Sequence, residues 1–291
     1  MHSGRRLAAV GVLASGGLAA ANLSAGWLTG SVSVTAAGVE FAGDVLASGI
    51  VWAGLAVASR PADANHPYGH GRYESLSGLL VGLLLAVAGL AVCVQSMRTL
   101  GALRPPPHSA GLAALAASIV VKTALSWAKF RVGRRIGSAA LVADGWNDLT
   151  DVLAGATATA ALGLAVWDPS RFRAADSLGG FAVGLIMVMA AVGILRSASL
   201  VLTDAMPSPE LVRQIRAEAL RVDGVLDVEK AFARKTGLQY HVDLHVGVAP
   251  SLSVDQGHQI AGAVRRRLRA SLPWVADVLV HVEPHQAGSD E

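Results

Sequence analysis

The chain has 291 residues, 53% of them hydrophobic and only 15% charged, and its mean hydropathy of +0.48 excludes the balance of an ordinary water-soluble domain. With a formal net charge of +3 no nucleic-acid partner is expected. The lone cysteine, Cys93, excludes an internal disulfide.

Apolar runs of roughly 20 residues, enough to cross a bilayer, fall at 7–29, 33–59, 75–97, 110–130, 138–166 and 178–202. Six membrane helices follow. The first run comes after Arg5 and Arg6, is longer than the apolar core of a cleaved signal and is followed by five more spans, so it is expected to remain in place. The second run contains Glu40 and Asp44, one helical turn apart. An ionised carboxylate near the bilayer centre costs about 2.5–3.5 kcal/mol on insertion scales, so functional use is its default reading.

The segment after the second run, Arg60-Pro-Ala-Asp63-Ala-Asn-His66-Pro-Tyr-Gly-His70-Gly-Arg-Tyr-Glu74, is dense in polar groups. Asp63, His66 and His70 are spaced by three and four, close enough to converge on one ion, and Gly69 and Gly71 let the backbone bend around it. The plainer alternative makes the histidines interfacial loop residues and Glu74 a helix start. In the fourth run Lys122 either snorkels its ammonium or pairs with a carboxylate.

In the fifth run Asn147 and Asp151 repeat the one-turn spacing of Glu40 and Asp44. A helix advances about 100° per residue, so the members of each pair share a face, and two facing helices supply a four-donor cage. All four donors are oxygens and three are carboxylates, which favours harder ions such as Mn²⁺ or Fe²⁺, while the affinity order of divalent metals keeps Zn²⁺ in play. Asp144 and Asp148 form a second one-turn pair, read either as a proton relay toward the cage or as a polar contact between helices. Trp27 and Trp167 read as interfacial anchors.

Basic residues set the orientation. Arg5 and Arg6 before the first helix, Arg60 and Arg72 in the loop between the second and third, and Lys129, Arg131, Arg134 and Arg135 in the loop between the fourth and fifth lie on one side, against Arg98, Arg104, Arg171 and Arg173 on the other. Both termini are therefore expected to be cytoplasmic.

The run Met206-Pro207-Ser208-Pro209 reads as a helix stop and a new start, dividing a membrane domain at 1–206 from a small domain at 207–291. The tail pattern is a helix at 208–222, a strand or turn at 225–232, a strand at 238–248, a helix at 253–271 and a strand at 276–282, an α+β order. Period-two alternation puts His241, Asp243 and His245 on one strand face and Leu279, His281 and Glu283 on one face of the last strand, with His258 near the start of the intervening helix. Clustered imidazoles and carboxylates point to cation binding; an ordinary solvated sheet face is the alternative.

The string His66-Pro-Tyr-Gly-His70-Gly-Arg-Tyr-Glu74, the Ser31-Val-Ser-Val lead into Glu40 and Asp44, the Ala143-Asp144…Asn147…Asp151-Val run, and the tail's Val242-Asp243-Leu244-His245-Val246…Gly257-His258…His281-Val-Glu283 together resemble the cation diffusion facilitator family. The likeness runs in the same order over nearly the whole chain. It implies a membrane all-α six-helix domain and a cytoplasmic α+β domain of metallochaperone-like, ferredoxin-like fold. It also implies a homodimer in a lipid bilayer that exports a divalent transition-metal ion (Mn, Fe, Zn or Co) in exchange for protons. No prosthetic group is expected, the metal being substrate and regulator. The transport site would be Glu40, Asp44, Asn147 and Asp151, the loop site Asp63, His66 and His70, and the tail site His245, His258, His281 and Glu283, with Glu229 where some relatives place another ligand. Zinc-preferring relatives commonly have histidine at the position of Asn147, and aspartate or histidine is more usual than glutamate at Glu40.

Three classes of function are weighed. An intramembrane hydrolase using paired aspartates is disfavoured by the lack of a His-Glu-x-x-His helix, a Gly-x-Ser-x-Gly elbow or a phosphate-binding loop. A metal-sensing or partner-organising membrane protein with secondary transport is the other alternative. A metal/proton antiporter in a bacterial inner membrane, not an enzyme, is the expectation; the bacterial source rests on Ala-, Gly- and Arg-rich usage.

Overall fold

The computed structural model describes residues 2–100, 108–136, 139–237 and 239–285. Arg104, Ser138 and Leu238 lie outside the described residues, as do the side chains of Arg5, Arg6 and Ala143. Six helices are long and apolar enough to cross a membrane. They are α1 (His2–Thr29), α2 (Val32–Ala58), α3 (Arg72–Leu100), α4 (Ala110–Ile136), α5 (Ala139–Trp167) and α6 (Ala175–Leu202). A smaller α+β part follows, with α7 (Pro209–Ala219), β1 (Asp227–Thr236), β2 (Gln239–Val248), α8 (Val254–Ser271) and β3 (Val275–Pro284).

The largest departure from expectation is at the end of α4. Lys129, Arg131, Arg134 and Arg135 are not a loop but its last two turns. Lysine and arginine are good helix formers, and cations at a helix C-terminus meet the negative end of its dipole. The guanidinium groups of Arg131 and Arg134 also sit over the rings of Trp127 and Phe130, at 5.2 and 5.6 Å.

The chain divides into two compact units. The first, Met1–Trp52 with Gly78–Leu195, holds most of the apolar helices. Its core is built from Leu18, Val34, Phe41, Leu115, Ala154, Ala158, Leu162, Val183 and Met187. Ala154, Ala158 and Leu162 recur every fourth residue on α5 and line one buried stripe. Small residues permit close approach: a Cβ on Gly89 of α3 would come within 2.9 Å of the Gly184 carbonyl oxygen of α6. Leu13, Trp27, Trp52, Val87 and Trp167 are exposed, as expected of helices whose outer faces meet lipid.

Helix α2 has a built start. Ser31 caps it, its Oγ accepting from Val34 N at 3.2 Å. The buried Asp176 carboxylate of α6 accepts from Ser31 Oγ at 2.7 Å, Val32 N at 2.7 Å and Ser33 Oγ at 2.6 Å. An anion at a helix N-terminus satisfies donors that have no intrahelical partner and matches the dipole. Elsewhere Asn22 of α1 donates to Ser118 Oγ of α4 at 2.7 Å, and Ser126 of α4 donates to the Gly145 carbonyl of α5 at 2.8 Å.

The second unit comprises Ala53–Ser77 and Arg196–Glu291. Its sheet has the order β1-β2-β3, with β1 antiparallel and β3 parallel to β2. The parallel pair needs a crossover, and α8 supplies it. Helix α8 starts in a full capping box between Ser253 and Gln256. Ile215 of α7, Leu244 and Val246 of β2 and Val264 and Leu268 of α8 form the core, each large side chain contributing about 1.5–3 kcal/mol on burial. Arg72 and Asp204 form an ion pair.

Candidate cation sites

Helix α2 carries Glu40 and Asp44 and helix α5 carries Asp148 and Asp151, so helical periodicity aims each pair to one side. Asp44, Asp148 and Asp151 converge on a single nitrogen. Lys122 Nζ of α4 lies 3.1 Å from Asp44 Oδ2, 3.2 Å from Asp148 Oδ1, 2.6 Å from Asp151 Oδ2 and 3.0 Å from Ser15 Oγ of α1. The Asp151 contact is an ion pair without hydrogen-bond geometry. Phe41 presents its ring to the same ammonium at 5.2 Å.

Lys122, Asp148, Asp151 and Glu40 are all buried, whereas the Asp44 side chain is 25% exposed, so the cluster opens on the Asp44 side. Glu40 Oε2 is buried with no hydrogen-bond partner among the described residues. Such an oxygen loses its hydration without compensation, and a cation would supply it. Asn147 is exposed in the single chain, the one member of the expected quartet that is.

A second lysine extends the cluster. Lys129 Nζ, also buried, lies 2.9 Å from Asp144 Oδ2 and 2.6 Å from Asp148 Oδ2. Asp144 and Asp148 are thus a contact between helices, the second of the two readings their spacing allowed. The lysines of α4 are seven residues apart, and so are Asp144 and Asp151 of α5. Across an antiparallel helix pair those equal spacings make a ladder in which Asp148 is shared by both cations. Reading Lys129 as a loop residue hid it. The legible signal was the matching seven-residue interval on two neighbouring spans.

Two further clusters lie in the second unit. Ligand atoms of Asp63, His66 and His70 all fall within 4.8 Å of one another, as do those of His245, His281 and Glu283. In the loop Asp63 Oδ1 accepts from His66 N at 2.7 Å and Asn65 N at 2.9 Å, and His70 Nδ1 is 3.2 Å from the Pro61 carbonyl. The His66 amide, foremost among several donors, holds the exposed Asp63 carboxyl below the usual carboxylate range. With Nδ1 of His70 turned to a carbonyl, its Nε2 faces Asp63 Oδ2 at 3.4 Å, the arrangement in which an outer contact orients a metal-binding imidazole.

In the tail, the parallel register pairs His245 with His281 and Gly247 with Glu283, bringing His245 Nδ1 to 2.6 Å from Glu283 Oε1. His258, exposed on α8, and Glu229, exposed on β1 and paired with Lys230 at 3.2 Å, are not in this cluster. His241 points elsewhere, its ring 5.8 Å from that of Tyr68, and desolvation followed by the Arg234 charge holds its pKa below that of an ordinary histidine.

The cation efflux transmembrane domain family model matches residues 8–203, and that of the cation efflux protein cytoplasmic domain matches 207–285. Metal tolerance protein C1 of Arabidopsis thaliana is 28% identical over 97% of this chain and 63% of its own length; the chain thus spans somewhat under two thirds of that relative. Manganese efflux system protein MneP of Bacillus subtilis (strain 168) is 27% identical over 97% of this chain and 96% of its own. A solved MamM CTD structure is 30% identical, covers 27% of this chain and all (100%) of that one, and has a TM-score of 0.26. With six spanning helices and family matches over both parts, the chain is an integral, multi-pass membrane protein and belongs to the cation efflux, or cation diffusion facilitator, family.

Proposed function

We propose that this protein exports a divalent transition-metal ion in exchange for protons, with Glu40, Asp44, Asn147 and Asp151 as its transport site. The observation that carries the reading is the convergence of Asp44 of α2 and the buried Asp151 of α5 on one cation position inside an apolar helix bundle, with buried Glu40 one turn from Asp44. Groups so costly to bury are kept where an ion passes. Among Mn²⁺, Fe²⁺, Zn²⁺ and Co²⁺, the all-oxygen donor set favours Mn²⁺. The manganese efflux protein that matches along nearly its whole length supports the same choice.

Because the Asn147 amide does not titrate, proton exchange rests on Glu40, Asp44 and Asp151: an arriving metal displaces protons from them and arriving protons help release it. The tail, from residue 207 onward, forms the homodimer contact and holds regulatory metal at His245, His281 and Glu283, while Asp63, His66 and His70 form a separate loop site. His258 and Glu229 join the tail site only after their side chains or backbone shift. Both termini face the cytoplasm of a bacterial cell, and no chemical reaction is catalysed.

The test is metal flux into sealed vesicles containing only this protein. Asp44→Ala or Asp151→Ala abolishes Mn²⁺ flux while the variant still inserts and dimerises. Near wild-type flux in either purified variant would remove the site assignment.

A further inference from the structure

Lys122 is 1% exposed, yet its ammonium is spent on the carboxylates proposed as metal ligands. A lysine needed only to neutralise Asp148 would be redundant, since Lys129 already lies 2.6 Å from that carboxylate. Instead Lys122 reaches past Asp148 to α2 and α1. An ammonium has three protons to offer, and here they go to Ser15, Asp44 and Asp148, which leaves the fourth neighbour, Asp151, held by charge alone.

We propose that Lys122 is a tethered competitor for the transported ion, an inference that rests on the transport-site assignment above. A divalent ion held at about 2.0–2.2 Å by carboxylate oxygens of Asp44 and Asp151 draws on the same oxygens that contact Lys122 at 3.1 and 2.6 Å. Two cations that close repel strongly in a bundle of low dielectric. Binding therefore requires the ammonium to let go of Asp44 and Asp151 while keeping Asp148, which the ladder with Lys129 allows.

The arrangement is also a charge filter. A monovalent ion offers the carboxylates no more charge than the ammonium it must displace, whereas a divalent ion doubles the Coulomb term.

The experiment measures Mn²⁺ binding to the purified full chain carrying His66→Ala, His70→Ala, His245→Ala and His281→Ala, so that the loop and tail clusters do not report. Lys122→Met in that background is expected to lower the Kd for Mn²⁺ by about tenfold or more and to make binding sensitive to added K⁺, which leaves the parent unaffected. Equal or weaker Mn²⁺ binding overturns the competition, and indifference of the variant to K⁺ overturns the filter. If Lys122→Met does not fold, Lys122→Arg serves: its fork engages both carboxylates at once, so Mn²⁺ binding weakens by about tenfold, and unchanged or tighter binding overturns the proposal. Asp151→Asn in the same background separates the two levels. Should it bind Mn²⁺ as tightly as the parent, the transport-site assignment falls, whatever Lys122 does.

Discussion

Asp148 shows how much one side chain decides in this bundle. It accepts both lysines, at 3.2 Å from Lys122 and 2.6 Å from Lys129, and its removal would leave two buried cations short of a partner. Breaking such a pair costs about 3–5 kcal/mol, so Asp148→Ala is expected to lower the unfolding temperature in detergent more than Asp144→Ala, whose carboxylate is 44% exposed and sees only Lys129. Equal shifts would mean the ladder is not shared. Asn147 poses the selectivity question. An imidazole there adds a neutral nitrogen donor that suits Zn²⁺ better than Mn²⁺, so Asn147→His is expected to raise the ratio of Zn²⁺ to Mn²⁺ flux; the same ratio in both proteins would show that this position, exposed in the single chain, is not the filter. The acids themselves were legible, because a carboxylate in a spanning run stands out from its neighbours. Of their partners Lys122 was legible too, pairing with a carboxylate being one of its two readings, but Lys129 was not: a lysine beside other basic residues looks like a loop charge, and only the fold shows it buried at 3%.

At the scale of elements, the position of a ligand helix is set at its end. Glu40 and Asp44 lie two and three turns into α2, and α2 begins where Asp176 gathers Ser31, Val32 and Ser33. Losing that anion removes several hydrogen bonds at a buried helix start, each net worth about 0.5–1.5 kcal/mol. Asp176→Ala is expected to lower thermal stability and, by freeing α2 to slide or rotate, to reduce flux beyond the loss of folded protein; flux per folded molecule equal to wild type would confine Asp176 to stability. The loop between α2 and α3 separates geometry from charge in the same way. Asp63 Oδ1 orders the turn through backbone amides. Because folding lowers the Asp63 pKa, this contribution is fully present above the ordinary carboxylate range and is lost as pH falls through the lowered value. Asp63→Asn keeps an oxygen acceptor but no charge, so the loop is expected to hold its conformation and lose divalent-metal affinity, while Asp63→Ala loses both; retained metal binding in Asp63→Asn would exclude the carboxylate as ligand. The spans were readable within a few residues because length and apolarity alone define them. The end of α4 was not, since charge marks a membrane boundary but says nothing about whether a helix continues beyond it.

For the molecule as a whole, the last two strands of the tail were legible because they alternate, whereas the first, read as a strand or turn at 225–232, runs over Asp227–Thr236 with a bulge between Val228 and Lys230 that breaks its period. Val242, Leu244 and Val246 are buried while His241, Asp243 and His245 are not, and the register then sets His245 opposite His281. Period two gave the faces; it could not tell which strands are neighbours, and so could not separate His258 on α8 from the cluster. Ile215, Val228, Leu244, Val264, Leu268 and Val278 belong to one core drawn from α7, β1, β2, α8 and β3, so the segment from Ser208 onward is expected to fold alone. His245, His281 and Glu283 sit on the partly open face of β2 and β3, with 32% and 27% of the His245 and Glu283 side chains exposed, where a divalent ion would neutralise the carboxylate and hold two tails together. A ligand that binds only the folded dimer raises its stability in proportion to the logarithm of concentration. The isolated tail is therefore expected to dimerise and to gain unfolding temperature as divalent transition metal is added, by an increment that keeps growing with concentration. In the full chain the same event is expected to bias the helices toward one access state, to the extent that its binding energy differs between the two arrangements. His245→Ala with His281→Ala is expected to abolish the gain and leave the metal-free unfolding temperature nearly unchanged, since neither side chain is in the core. If that double variant binds metal as tightly as the parent by calorimetry, these strand faces are solvated surface and the tail does not regulate transport through metal.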